Sequence, residues 1–243
     1  MIAVAGSALW LGGYWWTAFV AAVALGVLWE WWGLVAAINQ RPAGRLLWAI
    51  SGLFYVGLAA TVLIWPAIQD IQTARMMPEN AYSLGIWARF SFLLPLIVAI
   101  VATDVGAYFA GRTIGGPKIA PRISPSKTWA GLAGGMIASG FAYASTVWRL
   151  DSDWSPEWYW RFVVAGAIIA VIAQSGDFFE SWMKRRAGVK DSGSLIPGHG
   201  GFFDRVDGLL AVAFVFGLFL VGSFAASQMT HDMYDDSSIK LHQ

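Results

Sequence analysis

Four acidic residues of the chain lie where two apolar segments meet a polar connection. Asp177 and Glu180 end one apolar segment, and Asp204 and Asp207 begin the next. A short connection favours antiparallel neighbouring helices, so the acidic faces of the two helices can meet. Two converging carboxylates suit Mg²⁺, which is commonly held by one or two carboxylates together with substrate phosphates. The pattern predicts a site for a metal and a phosphate.

Helical spacing adds detail to this prediction. Asp177, Ser181 and Lys184 recur at i, i+4 and i+7 and therefore share one helix face. Glu180 is spaced to pair with Lys184 at i, i+4, which leaves Asp177 as the main metal ligand of that helix. Asp204 and its neighbour three residues on share a face at a helix start, where Asp204 can also act as a cap.

The polar connection itself carries groups that bind phosphate. The run "PGHGG", residues 197–201, allows backbone N–H groups to approach an anion closely. His199 in this run is predicted to form loop hydrogen bonds in preference to a metal bond. Acids for a metal beside cations for phosphates are typical of phosphoryl- or nucleotidyl-transfer sites. The cations are Lys184, Arg185, Lys190 and Arg205.

A second polar segment, residues 111–131, reads "GRTIGGPKIAPRISPSKTWAG". Its prolines and cations predict an ordered basic lid instead of a helix. Ser126 or Thr128 is positioned to cap the helix that follows, which places Lys127 near the positive helix end, where it helps to capture an anion. Asp104 precedes this segment inside an apolar run. An ionisable residue there is a functional candidate, although hydrogen bonding between helices is the alternative.

The elements that must position these residues are membrane helices. The chain is 57% hydrophobic and only 13% charged, whereas soluble domains carry about 25% charged residues. No apolar run alternates as a strand does, and membrane spans must satisfy their backbone internally, which favours helices. Pro66 and Pro95 are expected to bend or end helices locally. The six predicted spans are residues 14–37, 46–69, 84–110, 129–148, 162–183 and 206–227.

The predicted fold is therefore all-α, a polytopic transmembrane bundle of about six spans with a short partial or re-entrant helix before them. We treat it as one integral-membrane domain, with N-terminal helices in 1–83, catalytic helices and loops in 84–227, and a polar C-terminal tail in 228–243. The tail is expected to be loosely ordered. The lack of cysteine excludes disulfides and thiol catalysis.

Charge distribution predicts the orientation of the bundle. Eleven of the sixteen Lys and Arg residues fall at one set of helix ends, which the positive-inside rule makes cytoplasmic. The candidate site then faces the cytoplasm and the C-terminus lies outside. Without a basic signal-peptide start or eukaryotic targeting signals, a bacterial inner membrane is the expected location. Nothing in the pattern indicates a nucleic-acid partner.

At these same residues the sequence resembles a known family. "SWMKRRAGVKDSGSLIPGHGGFFDRVD", residues 181–207, is similar to the signature of phosphatidate cytidylyltransferases, also called CDP-diacylglycerol synthases. "DVGAYFAGR" and "ISPSKTWAG" resemble two further family segments in the expected order. "WEWWGL", which contains Glu30, resembles a weaker one. The resemblance covers roughly residues 15–225.

The resemblance implies a reaction in which CTP and phosphatidate give CDP-diacylglycerol and pyrophosphate, with Mg²⁺ required and K⁺ as a candidate second cation. It also implies a homodimer and a metal site on Asp177, Asp204 and Asp207. Ser181 and Lys184 complete the predicted catalytic set. Predicted substrate- and phosphate-binding residues are Asp104, Tyr108, Arg112, Ser124, Lys127, Arg185, Lys190, Asp191, His199, Gly200, Gly201 and Arg205.

Two departures from the family pattern and several alternatives remain. Ala130 stands where many relatives have Glu or Gln, so that side chain is not essential here, and the N-terminal half is shorter than in typical members. Glu30 is expected to pair with a neighbour or to reach the membrane interface. Alternatives are a transferase using CTP on another lipid phosphate or an isoprenoid alcohol, a silent paralogue, and a transporter. A transporter predicts acids spread across the bilayer and often an internal repeat, neither of which is found.

Overall fold

A computed structural model of the chain describes residues 2–76, 81–150, 154–195 and 200–240. The described residues form a helical bundle with one small β-hairpin, which confirms the predicted all-α membrane architecture and adds the hairpin to it. The elements in chain order are α1 (Ile2–Leu11), α2 (Gly13–Ile38), α3 (Pro42–Met76), α4 (Ala81–Thr113), β1 (Lys118–Ala120), β2 (Ser124–Thr128), α5 (Trp129–Leu150), α6 (Pro156–Ala187) and α7 (Phe203–Lys240).

Five helices of the described part are long and apolar enough to cross a membrane, judged by length and composition. The sequence analysis predicted about six. The helix predicted over 129–148 forms as α5, but it is not among the five, because its glycine and hydroxyl-bearing residues lower its hydropathy. The spans are α2, Pro42–Thr73 of α3, Arg89–Thr113 of α4, α6 and Phe203–Gln228 of α7.

The short first helix is attached to the bundle by a buried ion pair. At about 1.5 Å per residue, the ten residues of α1 reach only part of the way across a bilayer core of about 30 Å. Arg89 Nη1 contacts Asp70 Oδ2 at 2.5 Å, and Arg89 Nη2 donates to the Trp10 carbonyl at 3.4 Å. Gly12 and Gly13 adopt positive φ angles of 64° and 45°, which interrupt the helix between α1 and α2.

Glycine contacts hold α4, α5 and α6 close together. A Cβ at Gly134 would lie 2.9 Å from the Gly106 carbonyl, and a Cβ at Gly166 would lie 2.6 Å from the Ser139 carbonyl. Ser139 Oγ also donates to the Gly166 carbonyl at 2.8 Å. Small residues of this kind let membrane helices approach closely. They bring α4 and α6, which carry Asp104 and Asp177, into close contact with α5.

An aromatic cluster joins the other helices. Trp31 of α2 is buried and packs against Tyr55 of α3, Phe179 of α6 and Phe203, the first residue of α7. Its indole N–H donates to the Trp48 carbonyl at 2.8 Å, so its one polar atom is satisfied. The start of α7 is thereby fixed against three other helices.

The ends of the helices, two prolines and the polar segment 111–131 can be compared with the sequence analysis. The predicted polar tail begins within a helix, because α7 continues to Lys240; no Gly or Pro follows Gly222 to end the helix before that point. The loose order of the tail stays a prediction. Pro66 and Pro95 lie inside α3 and α4, and neither proline ends its helix. The middle of segment 111–131 forms the β1–β2 hairpin, with Lys118 opposite Thr128. The prediction that this segment is not a helix is confirmed for its middle part.

The contact between α5 and α6 can be tested at Gly166. We expect Gly166→Ala to lower the thermal midpoint in detergent, because the added methyl would overpack the interface by about 1–3 kcal/mol. Gly57→Ala on α3 is the matched control, since a Cβ there meets nothing within 4 Å. Equal midpoints for the two variants, measured by size-exclusion chromatography after heating, would contradict the tight contact.

Candidate active site

Three carboxylates converge between α6 and α7. Asp177, Glu180 and Asp207 each offer an oxygen, and these oxygens lie within 4.8 Å of one another. Gly176 permits the close approach, because a Cβ there would lie 2.5 Å from the Asp207 carbonyl and 2.6 Å from Ala211 Cβ. The acidic faces of the two helices therefore meet, as their spacing predicted. We call these three residues the acid trio.

The acid trio has the donor set of a hard divalent cation. Mg²⁺ prefers carboxylate oxygens and leaves further positions to water and phosphate. Glu180 is almost fully buried, and its Oε1 has no hydrogen-bond partner among the described residues. Its other oxygen, Oε2, pairs with Lys184 Nζ at 2.7 Å, which confirms the expected i, i+4 contact. That contact leaves one oxygen of Glu180 available to a cation.

Asp204 lies beside the acid trio, but both of its oxygens face donors. Oδ1 accepts from Lys184 Nζ at 2.7 Å. Oδ2 accepts from the backbone N–H groups of Ser192 and Gly201 at 2.9 and 2.8 Å, and from Ser192 Oγ at 2.9 Å. These bonds close the connection between α6 and α7, residues 188–202, instead of capping the N–H groups within α7. Asp204 as a metal ligand stays a prediction.

Glu30 of α2 holds the same connection from the other side. Glu30 as a whole is only 3% exposed. It accepts from Phe202 N and Phe203 N, each at 2.9 Å, and lies 2.9 Å from Ser192 Oγ, whose single proton it shares with Asp204. Glu30 thus pairs with neighbours, which confirms the first of the two expectations. Two of its partners, Phe202 N and Phe203 N, lie at the start of α7, where a negative charge is favoured.

Glycines make room for these contacts. A Cβ at Gly193 would lie 2.7 Å from Glu30 Oε1, and a Cβ at Gly201 would lie 2.4 Å from Glu30 Oε2. Gly200 has a φ of 79°, a left-handed conformation that residues other than glycine rarely adopt. The glycines of the connection therefore serve, in this structure, to pack the backbone around two carboxylates.

The β1–β2 hairpin brings a cation to the acid trio. Thr128 Oγ1 accepts from Gly131 N at 3.0 Å, so the predicted cap of α5 is confirmed at Thr128. Lys127 Nζ forms an ion pair with Asp177 Oδ2. Arg185 Nε donates to the Ile123 carbonyl at 3.4 Å, which ties the hairpin to the end of α6.

A polar cavity of about 470 Å³ lies between α4, α5, α6 and the hairpin. It brings together three predicted residues that are far apart in sequence, Asp104, Lys127 and Asp177. Gln174, which the sequence analysis missed, also lines it. The available signal was its spacing three residues before Asp177, on the same helix face. A neutral side chain in an apolar run gives no electrostatic reason to select it.

The structure places the other predicted residues around the acid trio and the cavity as follows. Ser181 Oγ donates to Asp177 Oδ1 at 3.4 Å. Arg112 lines the cavity and donates to the Tyr108 hydroxyl at 2.7 Å. Ser124 lies in the hairpin opposite Ala120 and is not among the residues that line the cavity.

Four predicted residues lie in or near the α6–α7 connection. Lys190 and Asp191 are exposed there, and His199 falls outside the described residues. Arg205 lines a different, largely apolar cavity of about 360 Å³ between α1, α2, α3, α4 and α7. The structure therefore does not bring Arg205 into the polar cavity with Lys127.

Comparison with known proteins supports one family. A sequence model of the cytidylyltransferase family matches residues 87–222. A phosphatidate cytidylyltransferase of Brucella suis is 36% identical over 239 residues, which cover 86% of each chain. Proteins of the same name from Haemophilus influenzae and Rickettsia bellii are 34% and 30% identical, over 78% and 82% of this chain and 65% and 78% of theirs. The chain is an integral membrane protein of the phosphatidate cytidylyltransferase family.

Proposed function

We propose that the protein transfers the cytidylyl group of CTP to phosphatidate, which gives CDP-diacylglycerol and pyrophosphate. The observation that carries this proposal is the acid trio with Lys127 and Lys184 in ion-pair contact around it. Acids for a metal beside cations for phosphates suit nucleotidyl transfer. The names of the relatives supply the two substrates.

In the proposed reaction an oxygen of the phosphatidate phosphate forms a bond to the α-phosphorus of CTP. The bond from that phosphorus to the bridging oxygen breaks, and pyrophosphate leaves with the electron pair. The attacking phosphate is already an anion, so the chain needs no general base and forms no covalent intermediate. Positioning and charge stabilisation are the remaining tasks of the protein.

The residues divide these tasks. Asp177, Glu180 and Asp207 would hold Mg²⁺, which would supply positive charge to the phosphates when bound. Lys127 and Lys184 each contact a carboxylate of the acid trio, so their ammonium groups lie where phosphate oxygens would arrive. Ser181 orients Asp177 through its hydroxyl. Asp204 orients Lys184, and as a direct metal ligand it is the alternative arrangement. K⁺ is proposed as a possible second cation.

The proposal extends to the membrane. Cations gather at the helix ends nearest the acid trio, which supports a site facing the cytoplasm of a bacterial inner membrane and a C-terminus outside. At this depth a lipid phosphate can arrive from within the bilayer and CTP from the aqueous side. Following the family resemblance, we propose that the protein works as a homodimer.

The activity can be tested with Asp207→Asn. Purified protein in detergent should release pyrophosphate only when CTP, phosphatidate and Mg²⁺ are all present, and EDTA should stop the release. The variant should lose roughly 100-fold in rate or more, as expected for removing one key electrostatic group. Glu157→Gln, in the first turn of α6 at its opposite end, is the control and should retain activity.

Two results would contradict the proposal. Pyrophosphate release with another lipid phosphate in place of phosphatidate, or formation of CDP with an isoprenoid alcohol, would assign a different acceptor. If the folded protein neither binds CTP nor releases pyrophosphate, nucleotidyl transfer is excluded as its activity.

The role of Glu30 gives a second prediction. In Glu30→Gln the amide NH₂ would face one of the donors that the carboxylate now accepts, so charge-assisted hydrogen bonds worth about 1.5–3 kcal/mol each are weakened. We expect a lower thermal midpoint, faster tryptic cleavage after Lys190 and reduced pyrophosphate release. Unchanged cleavage and midpoint, relative to Glu157→Gln, would show that the connection does not depend on this carboxylate.

A further inference from the structure

The polar cavity contains a buried amide that the proposed reaction has not used. Gln174 is 7% exposed, and its Nε2 has no hydrogen-bond partner among the described residues. The amide rests against Gly135, where a Cβ would lie 3.0 Å from Nε2 and 3.0 Å from the Thr103 carbonyl. A buried donor without a partner costs free energy, which a ligand in the cavity would recover.

Asp104 supplies an acceptor in the same cavity. No hydrogen bond or ion pair reaches its carboxylate within the described ranges, although it lies inside a membrane span and within electrostatic range of Lys127 and Asp177. Lys127 is in direct contact with Asp177 instead. The Asp104 carboxylate would repel a phosphate and attract a hydrogen-bond donor.

The lining of the cavity therefore offers groups that suit different parts of one ligand. Arg112 and Lys127, with the acid trio beside them, suit a polyphosphate and its metal. Asp104 and Gln174 present one acceptor and one donor, a pattern that matches an uncharged ring with both kinds of group. The volume of about 470 Å³ falls within the range of ~300–1,000 Å³ typical of small-molecule sites.

We propose that Asp104 and Gln174 recognise the cytosine base of CTP, an inference that rests on the proposed function. The Asp104 carboxylate accepts from the exocyclic amino group of cytosine, and the Gln174 amide donates to the ring nitrogen N3 or the carbonyl O2. Uracil presents a carbonyl where cytosine has the amino group, as thymine does in DNA. A uracil carbonyl would face the Asp104 carboxylate without a hydrogen, so the pair selects CTP over UTP.

The test compares CTP, UTP and dCTP as substrates for Asp104→Asn and Gln174→Leu. An asparagine at position 104 can donate to the uracil carbonyl, so the ratio of kcat/KM for UTP to that for CTP should rise by about tenfold or more, the size of one base contact. Gln174→Leu should raise KM for CTP about tenfold with a smaller change in kcat. Gln72→Leu, at an exposed position of α3, is the matched control.

Each other outcome decides against the inference. An equal loss with all three nucleotides would assign Asp104 to the metal or the phosphates, and a changed preference for dCTP alone would assign it to the ribose. If Asp104→Asn fails to fold, an unchanged KM for CTP in Gln174→Leu would still overturn base recognition. Failure of the wild-type protein to use CTP would instead overturn the proposed function.

Discussion

The architecture of the site depends on one buried carboxylate, that of Glu30. Removing a charge from water is costly unless hydrogen bonds replace the lost solvation. Phe202 N, Phe203 N and Ser192 Oγ supply those bonds. Each side of this contact depends on the other. The Glu30 carboxylate of α2 needs hydrogen-bond donors from the connection, and the N–H groups at the start of α7 need the carboxylate as their acceptor. The start of α7, and with it Asp207, is positioned as a consequence.

From Glu30 a chain of polar contacts leads to the acid trio. Ser192 Oγ lies 2.9 Å from both Glu30 and Asp204. Asp204 binds Lys184, and Lys184 binds Glu180. Every member is a polar group at least partly removed from water, where electrostatic interactions are stronger and an unmatched partner is costly. A change at α2 therefore alters the environment of a cation on α6 without touching any substrate.

The sequence allowed prediction of those parts of the site that depend on local spacing. The meeting of the α6 and α7 acids, the Thr128 cap and the contact of Glu180 with Lys184 all follow from helical periodicity or short connections. Contacts between residues far apart in the sequence could not be predicted from it. Glu30 binds residues more than 160 positions away, and periodicity carries no information about such partners. Gln174 was missed because a neutral amide in an apolar run resembles a packing residue.

Individual glycines determine where the polar side chains of the site meet. Gly176 lets α6 approach α7 closely enough for three carboxylate oxygens to lie within 4.8 Å of one another, and Gly135 leaves space for the Gln174 amide. Packing in a bilayer gains little from the hydrophobic effect, so helices must associate through close van der Waals contact and hydrogen bonds. The residues that permit such contact are therefore the ones that determine where the polar side chains meet. Site geometry and bundle stability depend on the same glycines, and a change to either one cannot leave the other unaffected.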